Sequence, residues 1–366
     1  MVWGTFFYKD VRIIICFIFF FIFTYMSEKF CLVKGKEGWG DRLQCLLEAM
    51  IYADKTNRHL VLDWRDDDWC HDKTEDVSKY FTIVGNSEYT RDEFFAYYEQ
   101  HKHEMTVAPR DWVDKITDGD YQKYINRKNL QFGRGNQILY KIATKGVSDF
   151  PHDIVVYPFS GNRSWTWDYI TKIRLSNMVE TEIICTYLKL GMIPREYNVI
   201  HLRGGSKSWN GGHVGQKRLR EKINSTFPTK DSYFDFLFEK YQKLNTSLPL
   251  LLLTDYKPMA DEWVDRYGCG IMLNDTSNSF FKKCGTHKIK PDEMQGLSKQ
   301  TLNIETLRDF SLMINANGLV HDNISYMSNV AFGVLKRKLT FAKNKDFENF
   351  SNRIVKNFNN KLVDKK

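Results

Sequence analysis

An imidazole, a guanidinium and an ammonium fall close together at His201, Arg203 and Lys207. Val199, Ile200 and Leu202 make the stretch apolar, so His201 and Arg203, at alternate positions, leave one face of a strand. Gly204 and Gly205 then break that strand. Arginine offers a planar fork of donors and lysine a point charge, a combination suited to a phosphate or diphosphate. Ligands of open α/β sheets bind at the carboxyl ends of strands, which is where these groups stand. Taken alone, the stretch fits a strand ending in a solvated basic loop equally well.

Two further stretches run from an apolar strand into polar groups. The segment from Pro249 is unbrokenly apolar and ends in Thr254 and Asp255, as expected of a central parallel strand covered on both faces. Gly318 to His321 reads as a short strand, followed by a polar turn from Asp322 to Ser328 that carries Ser325 and leads into a helix from Asn329 to Lys336. Helices are expected over 176–192, 231–244, 258–267 and 304–316, and a polar insertion over 274–300. His201/Arg203/Lys207, Thr254/Asp255 and Ser325/Ser328 thus share one sheet edge, and this repetition outweighs any single motif.

The first half opens as a βαβ unit. A strand from Phe30 to Lys34 runs through the glycines 35, 38 and 40 into a helix from Asp41 to Thr56, and a strand from His59 to Trp64 follows. Leu43, Leu46, Leu47, Met50 and Ile51 share one helical face. The loop with Gly38, Gly40 and Arg42 sits at a helix N-terminus, where free N–H groups and the dipole favour anions. It is not the GxGxxG fingerprint of dinucleotide binding. Asp41 fits either a helix cap or a carboxylate facing the cleft. Asp66, Asp67 and Asp68 fit either a divalent metal site or an acidic solvated loop. Residues 88–125 read as helical and aromatic-rich, and Trp165 and Trp167 fit stacking on a sugar ring or packing between domains.

A chain of 366 residues exceeds one core and fits two domains. The net charge of +8 comes largely from a basic tail after Lys336; no signature of an RNA- or DNA-binding module appears in the sequence, and anionic ligands such as nucleotide sugars, or a membrane surface, fit the charge. Cysteines 16, 31, 45, 70, 185, 269 and 284 form no CxxC pair, so no zinc or redox centre is expected. Cys45 and Cys185 read as core residues, and Cys269 and Cys284 are candidates for a bridge in an oxidising compartment. Residues 11–26 are nearly all apolar and read as a short, uncleaved membrane anchor, with a signal peptide as the rival. Sequons at Asn162, Asn224, Asn245, Asn274, Asn323 and Asn349 agree with a secretory setting.

In this order, these blocks resemble the GDP-fucose-dependent fucosyltransferase superfamily, which includes nodulation fucosyltransferases, core α-1,6-fucosyltransferases and protein O-fucosyltransferases. Gly38 to Leu43, with the strand Leu60 to Arg65, looks like the opening glycine loop of the nodulation type. His201, Arg203 and Lys207 resemble that family's HxRRTDK motif, Thr254-Asp255 its ATDD strand end, and Ala316 to Ala331 its third conserved segment. The resemblance implies that Arg203 and Lys207 hold a diphosphate and that His201, Asp255 and Ser325 contact guanosine. Departures are Gly204 and Gly205 for the second arginine and the threonine, Ser206 for the aspartate, Gly211 for a glutamate that some members use as base, and Tyr326 for a polar residue. Asp41 and His213 remain as candidate bases.

The expected architecture is α/β of the GT-B type, with two Rossmann-like domains facing across a cleft. A hydrophobic segment (1–29) precedes an acceptor-side domain (30–170), a donor-side domain (171–340) and a basic tail (341–366). The expected activity is that of an inverting, metal-independent glycosyltransferase, moving fucose from GDP-fucose to a glycan hydroxyl with Arg203 and Asp41 as catalytic groups. No cofactor and no nucleic-acid partner are expected. Residues 11–26 would make it a single-pass type II membrane protein of the secretory pathway. The alternatives are a metal-dependent transferase using Asp66 to Asp68, and a sugar-nucleotide- or glycan-binding protein without catalysis.

Overall fold

Phe30–Lys34 (β1) is buried at all five positions, as an apolar run without alternation requires. The computed structural model describes residues 28–85, 89–124, 150–158, 167–203, 226–273 without 228, and 289–343 without 295 and 324. β1 is followed by α1 (Trp39–Thr56), β2 (His59–Asp63), β3 (Phe81–Ile83), α2 (Arg91–His101), β4 (Val107–Ala108), β5 (Ile154–Tyr157) and β6 (Ile173–Leu175). The second half comprises α3 (Asn177–Leu190), β7 (Asn198–Leu202), α4 (Lys230–Tyr241), β8 (Leu250–Thr254), α5 (Lys257–Tyr267), β9 (Ile271–Met272), α6 (Lys299–Ile314), β10 (Gly318–Val320) and α7 (Tyr326–Lys336). Local chemistry sets several helix ends. α1 stops at Asn57 in the left-handed region, α2 begins with a capping box between Thr90 and Glu93, and α3 stops at left-handed Gly191.

Two four-stranded parallel sheets result, ordered β2-β1-β5-β4 and β10-β7-β8-β9. β3 and β6 form a separate antiparallel pair. In the second sheet β7 lies between β10 and β8, so the chain order reverses at the β7–β10 pair. Such a switch point opens a crevice beyond the carboxyl ends of the two strands. The halves do not have separate cores: one apolar cluster takes Cys31 and Val33 from β1, Val199 from β7 and Leu251 and Leu253 from β8, together with residues of α1, α6 and α7. Smaller clusters cover the outer faces, one around Phe94 and Trp112 and one around Phe234 and Trp263.

Several expectations need correction. α1 begins at Trp39 with Gly38 in the N-cap position, so Asp41 lies in the first turn and is not the cap. The stretch 88–125 is helical only over α2 and then forms β4 and two short 3-10 turns, because β4 adds a short edge to β5. α7 starts at Tyr326, three residues before the expected Asn329, and β9 is a two-residue strand with no sequence signal. Cys185 is exposed, and Cys269 is a free thiol; Cys284 lies outside the described residues. Residues 11–26 also lie outside them, as do the tail from 344 and the sequons at 162, 224, 274 and 349. Among the described residues no helix is long and apolar enough to cross a membrane.

The halves approach closely where α1 meets α7. A Cβ on Gly40 would lie 2.5 Å from the Met327 nitrogen and 2.7 Å from the Tyr326 carbonyl carbon. Both are backbone atoms that no rotamer change can move aside. Gly40→Ala should therefore cost about 1–3 kcal/mol through overpacking, measured as a lower urea midpoint; an unchanged midpoint would show that the helices separate freely.

Candidate functional site

At the carboxyl edge of the second sheet, β7 delivers His201 and Arg203, β8 delivers Thr254 and Asp255, and β10 runs into His321 and Asp322. His201 and Asp255 are buried, and the Arg203 side chain is 15% exposed. Arg203 Nη1 is ion-paired with Asp255 Oδ2. Its Nε has no hydrogen-bond partner among the described residues, which leaves one donor of the fork unused. The Arg203 backbone N–H donates to the Tyr233 hydroxyl (3.1 Å), and that hydroxyl donates to Asp322 Oδ2 (3.1 Å). Asp322 Oδ1 accepts from the Ser325 N–H (3.4 Å). Ser325 occupies the N-cap of α7 without a side-chain capping bond, although it is buried. Tyr326, half-buried, is the first residue of that helix.

Ser325 and Gly40 bring a second feature to this edge. The N-terminus of α1 abuts the N-terminus of α7, so two positive dipole ends, each worth about half a charge, converge. Backbone N–H groups at helix starts and an arginine fork are donor types suited to an anion. Asp41, in the first turn of α1, is the acid closest in sequence to this junction.

The remaining sequence candidates have other places. Arg42 does not face outward: it is fully buried, donates from Nε to the Glu37 carbonyl (2.9 Å) and pairs through Nη2 with Asp66 Oδ1 at 2.6 Å. Burial opposes its charge, but the Asp66 carboxylate outweighs this and holds the guanidinium above its ordinary pKa. Asp66 also accepts from Gln122 and from the Tyr121 hydroxyl (2.6 Å). The acidic run is therefore a structural hub, with Asp66 enclosed, Asp67 paired to Lys73 and Asp68 buried. No group of three potential metal ligands occurs among the described residues. Trp167 is buried, and a Cβ on Gly333 of α7 would lie 2.5 Å from its Nε1, so it packs between the halves and does not present a face to a sugar. Gly204, Gly205, Lys207, His213 and Trp165 lie outside the described residues. The residues missed from sequence are Tyr233, inside an aromatic helix, and Asp322, whose only signal was its place after β10.

Two parallel sheets with polar groups gathered at a switch point are consistent with a GT-B fold. The sequence matches no protein-family model, and no curated protein matches it. Among solved structures the chain is similar to NodZ α-1,6-fucosyltransferase soaked with GDP-fucose, with 15% identity, a TM-score of 0.54 and coverage of 86% of this chain and 93% of that one. It is similar to NodZ from Bradyrhizobium with 16% identity, a TM-score of 0.55 and coverage of 83% and 92%. It is also similar to POFUT1 in complex with GDP-fucose, with 11% identity, a TM-score of 0.50 and coverage of 87% and 95%. At these identities the likeness is one of fold.

Two outcomes test the electrostatics. Asp66→Ala strands the buried Arg42 charge and should cost about 3–5 kcal/mol in urea unfolding; a loss below about 1 kcal/mol would remove Asp66 as the hub. Burial, with Lys240 and Lys336 nearby, lowers the His321 pKa to about 4 from 6.5. Between these values the unfolded chain binds the proton and the folded chain does not, so stability falls as pH drops through that window. His321→Asn should flatten that slope, and an unchanged slope would assign the acid sensitivity elsewhere.

Proposed function

We propose that the chain is an inverting, metal-independent glycosyltransferase that moves fucose from GDP-fucose to a glycan hydroxyl. The observation that carries this reading is the gathering of three polar strand ends and two helix N-termini at the switch point of the second sheet. The fold gives further support, being similar to that of NodZ soaked with GDP-fucose and of POFUT1 in complex with GDP-fucose.

In this reading Arg203, Lys207 and the N-terminus of α7 at Tyr326 hold the diphosphate, and Gly204 and Gly205 let the backbone approach it. His201, Asp255 and Ser325 contact guanosine. The acceptor oxygen forms its bond to the anomeric carbon as the bond from that carbon to the diphosphate oxygen breaks, its electron pair leaving with GDP. The acceptor proton passes to Asp41. Attack opposite the leaving group inverts the centre, and the preorganised donors meet the charge that develops on GDP. Residues 11–26 would anchor the chain as a type II membrane protein of the secretory pathway.

Binding without transfer is the second reading. It is favoured by the two carboxylates, Asp255 and Asp322, that the described edge sets around Arg203.

GDP-fucose should raise the thermal midpoint, by an amount equivalent to about 2.7 kcal/mol at one hundred times its Kd, while UDP-sugars should not. Arg203→Ala should lower kcat/KM by about 100-fold or more with the unfolding profile retained. Full transfer by that variant would overturn the assignment, and GDP binding without product from any glycan offered would favour the second reading.

A further inference from the structure

We infer that Tyr233 is a positioning residue that fixes Arg203 and the N-terminus of α7 for binding of a diphosphate, without itself touching the ligand. This inference rests on the donor-site reading above. The Tyr233 hydroxyl accepts from the backbone N–H of Arg203 at 3.1 Å and donates to Asp322 Oδ2 at 3.1 Å. Asp322 Oδ1 accepts from the Ser325 N–H at 3.4 Å, at the point where α7 begins. One phenol thereby joins the polypeptide just beyond β7 to that just beyond β10, across the strand pair where the order of the sheet reverses.

Placement explains why a phenol serves here. The β7–β10 ladder pairs Asn198 to Ile200 with Gly318 to Val320, so Arg203 lies beyond the last paired residue. A buried N–H left without an acceptor is costly, and Tyr233 supplies one. The residue is 1% exposed and its ring meets Phe227 edge-on at a centroid distance of 5.3 Å, which leaves the hydroxyl little freedom. Burial, with the Asp322 carboxylate beside it, pushes the phenol pKa far up, so the group stays neutral and its donor and acceptor roles are both in use. The Arg203 guanidinium is not part of this strut. Tyr233 fixes the main chain from which the fork projects, while Asp255 pairs with the fork itself.

Tyr233→Phe keeps the ring and deletes the strut. Calorimetry of the full chain with GDP and with guanosine separates positioning from packing, because only GDP carries the diphosphate. The expected result is an affinity for GDP about tenfold weaker, an unchanged affinity for guanosine and a retained cooperative unfolding transition. Unchanged GDP affinity, or equal losses for both ligands, would overturn the inference. Should Tyr233→Phe not fold, Asp322→Ala removes the far end of the strut, and it is compared in wild-type and Arg203→Lys backgrounds. The lost carboxylate acts on the anion in both backgrounds and cancels. A smaller loss of GDP affinity in the Arg203→Lys background supports the strut, and equal changes overturn it. If the wild-type chain binds no GDP, the donor-site reading itself fails; if it binds GDP and Arg203→Ala weakens this while Tyr233→Phe does not, only the present inference fails.

Discussion

The approach of α1 to α7 at Gly40 is the constraint on which the rest of the arrangement depends. Two helix N-termini set against each other place like partial charges together, an arrangement that an anion relieves. Nothing larger than hydrogen fits at Gly40, because the backbone of Tyr326 and Met327 already fills the space. The contact also fixes how the first sheet stands against the second, since α1 follows β1 and α7 follows β10. The edge that holds Arg203, Asp255 and Ser325 is therefore assembled from both halves of the chain, not from the second sheet alone.

Polar ties reinforce this junction. Asn303 of α6 donates from Nδ2 to the Trp69 carbonyl (3.0 Å) and to the Tyr80 hydroxyl (3.2 Å). His71 Nε2 lies 3.0 Å from the Ile289 carbonyl oxygen. These bonds join the segment after β2 to the second half, and the Arg42–Asp66 pair holds that same segment to α1. Deleting one partner of such a buried pair exposes the other to an uncompensated burial cost, which makes the hub far more sensitive to substitution than a surface ion pair.

Much of the fold was legible because it rests on uninterrupted apolar runs. Phe30–Lys34 and the strand ending at Thr254 needed nothing beyond local pattern, and the three polar strand ends come to one edge as their spacing implied. Short elements escaped, since β4 and β9 have two residues each and exist only because a longer neighbour supplies their hydrogen bonds. Side-chain roles were less legible than element types. Arg42, Asp66 and Trp167 carry the residue types of functional groups, yet burial and pairing make them structural. Tyr233 shows the converse: an aromatic on the buried face of a helix reads as core, and only the meeting of β7, β10 and α4 reveals what its hydroxyl holds.

The central claim is that an anionic diphosphate occupies the junction of the two helix N-termini at the β7–β10 switch point. A crystal structure of the chain with GDP tests it most directly. The diphosphate should lie within hydrogen-bonding distance of the Arg203 guanidinium and of backbone N–H groups at the start of α7. GDP seated away from this edge, with the Arg203–Asp255 pair intact, would contradict it.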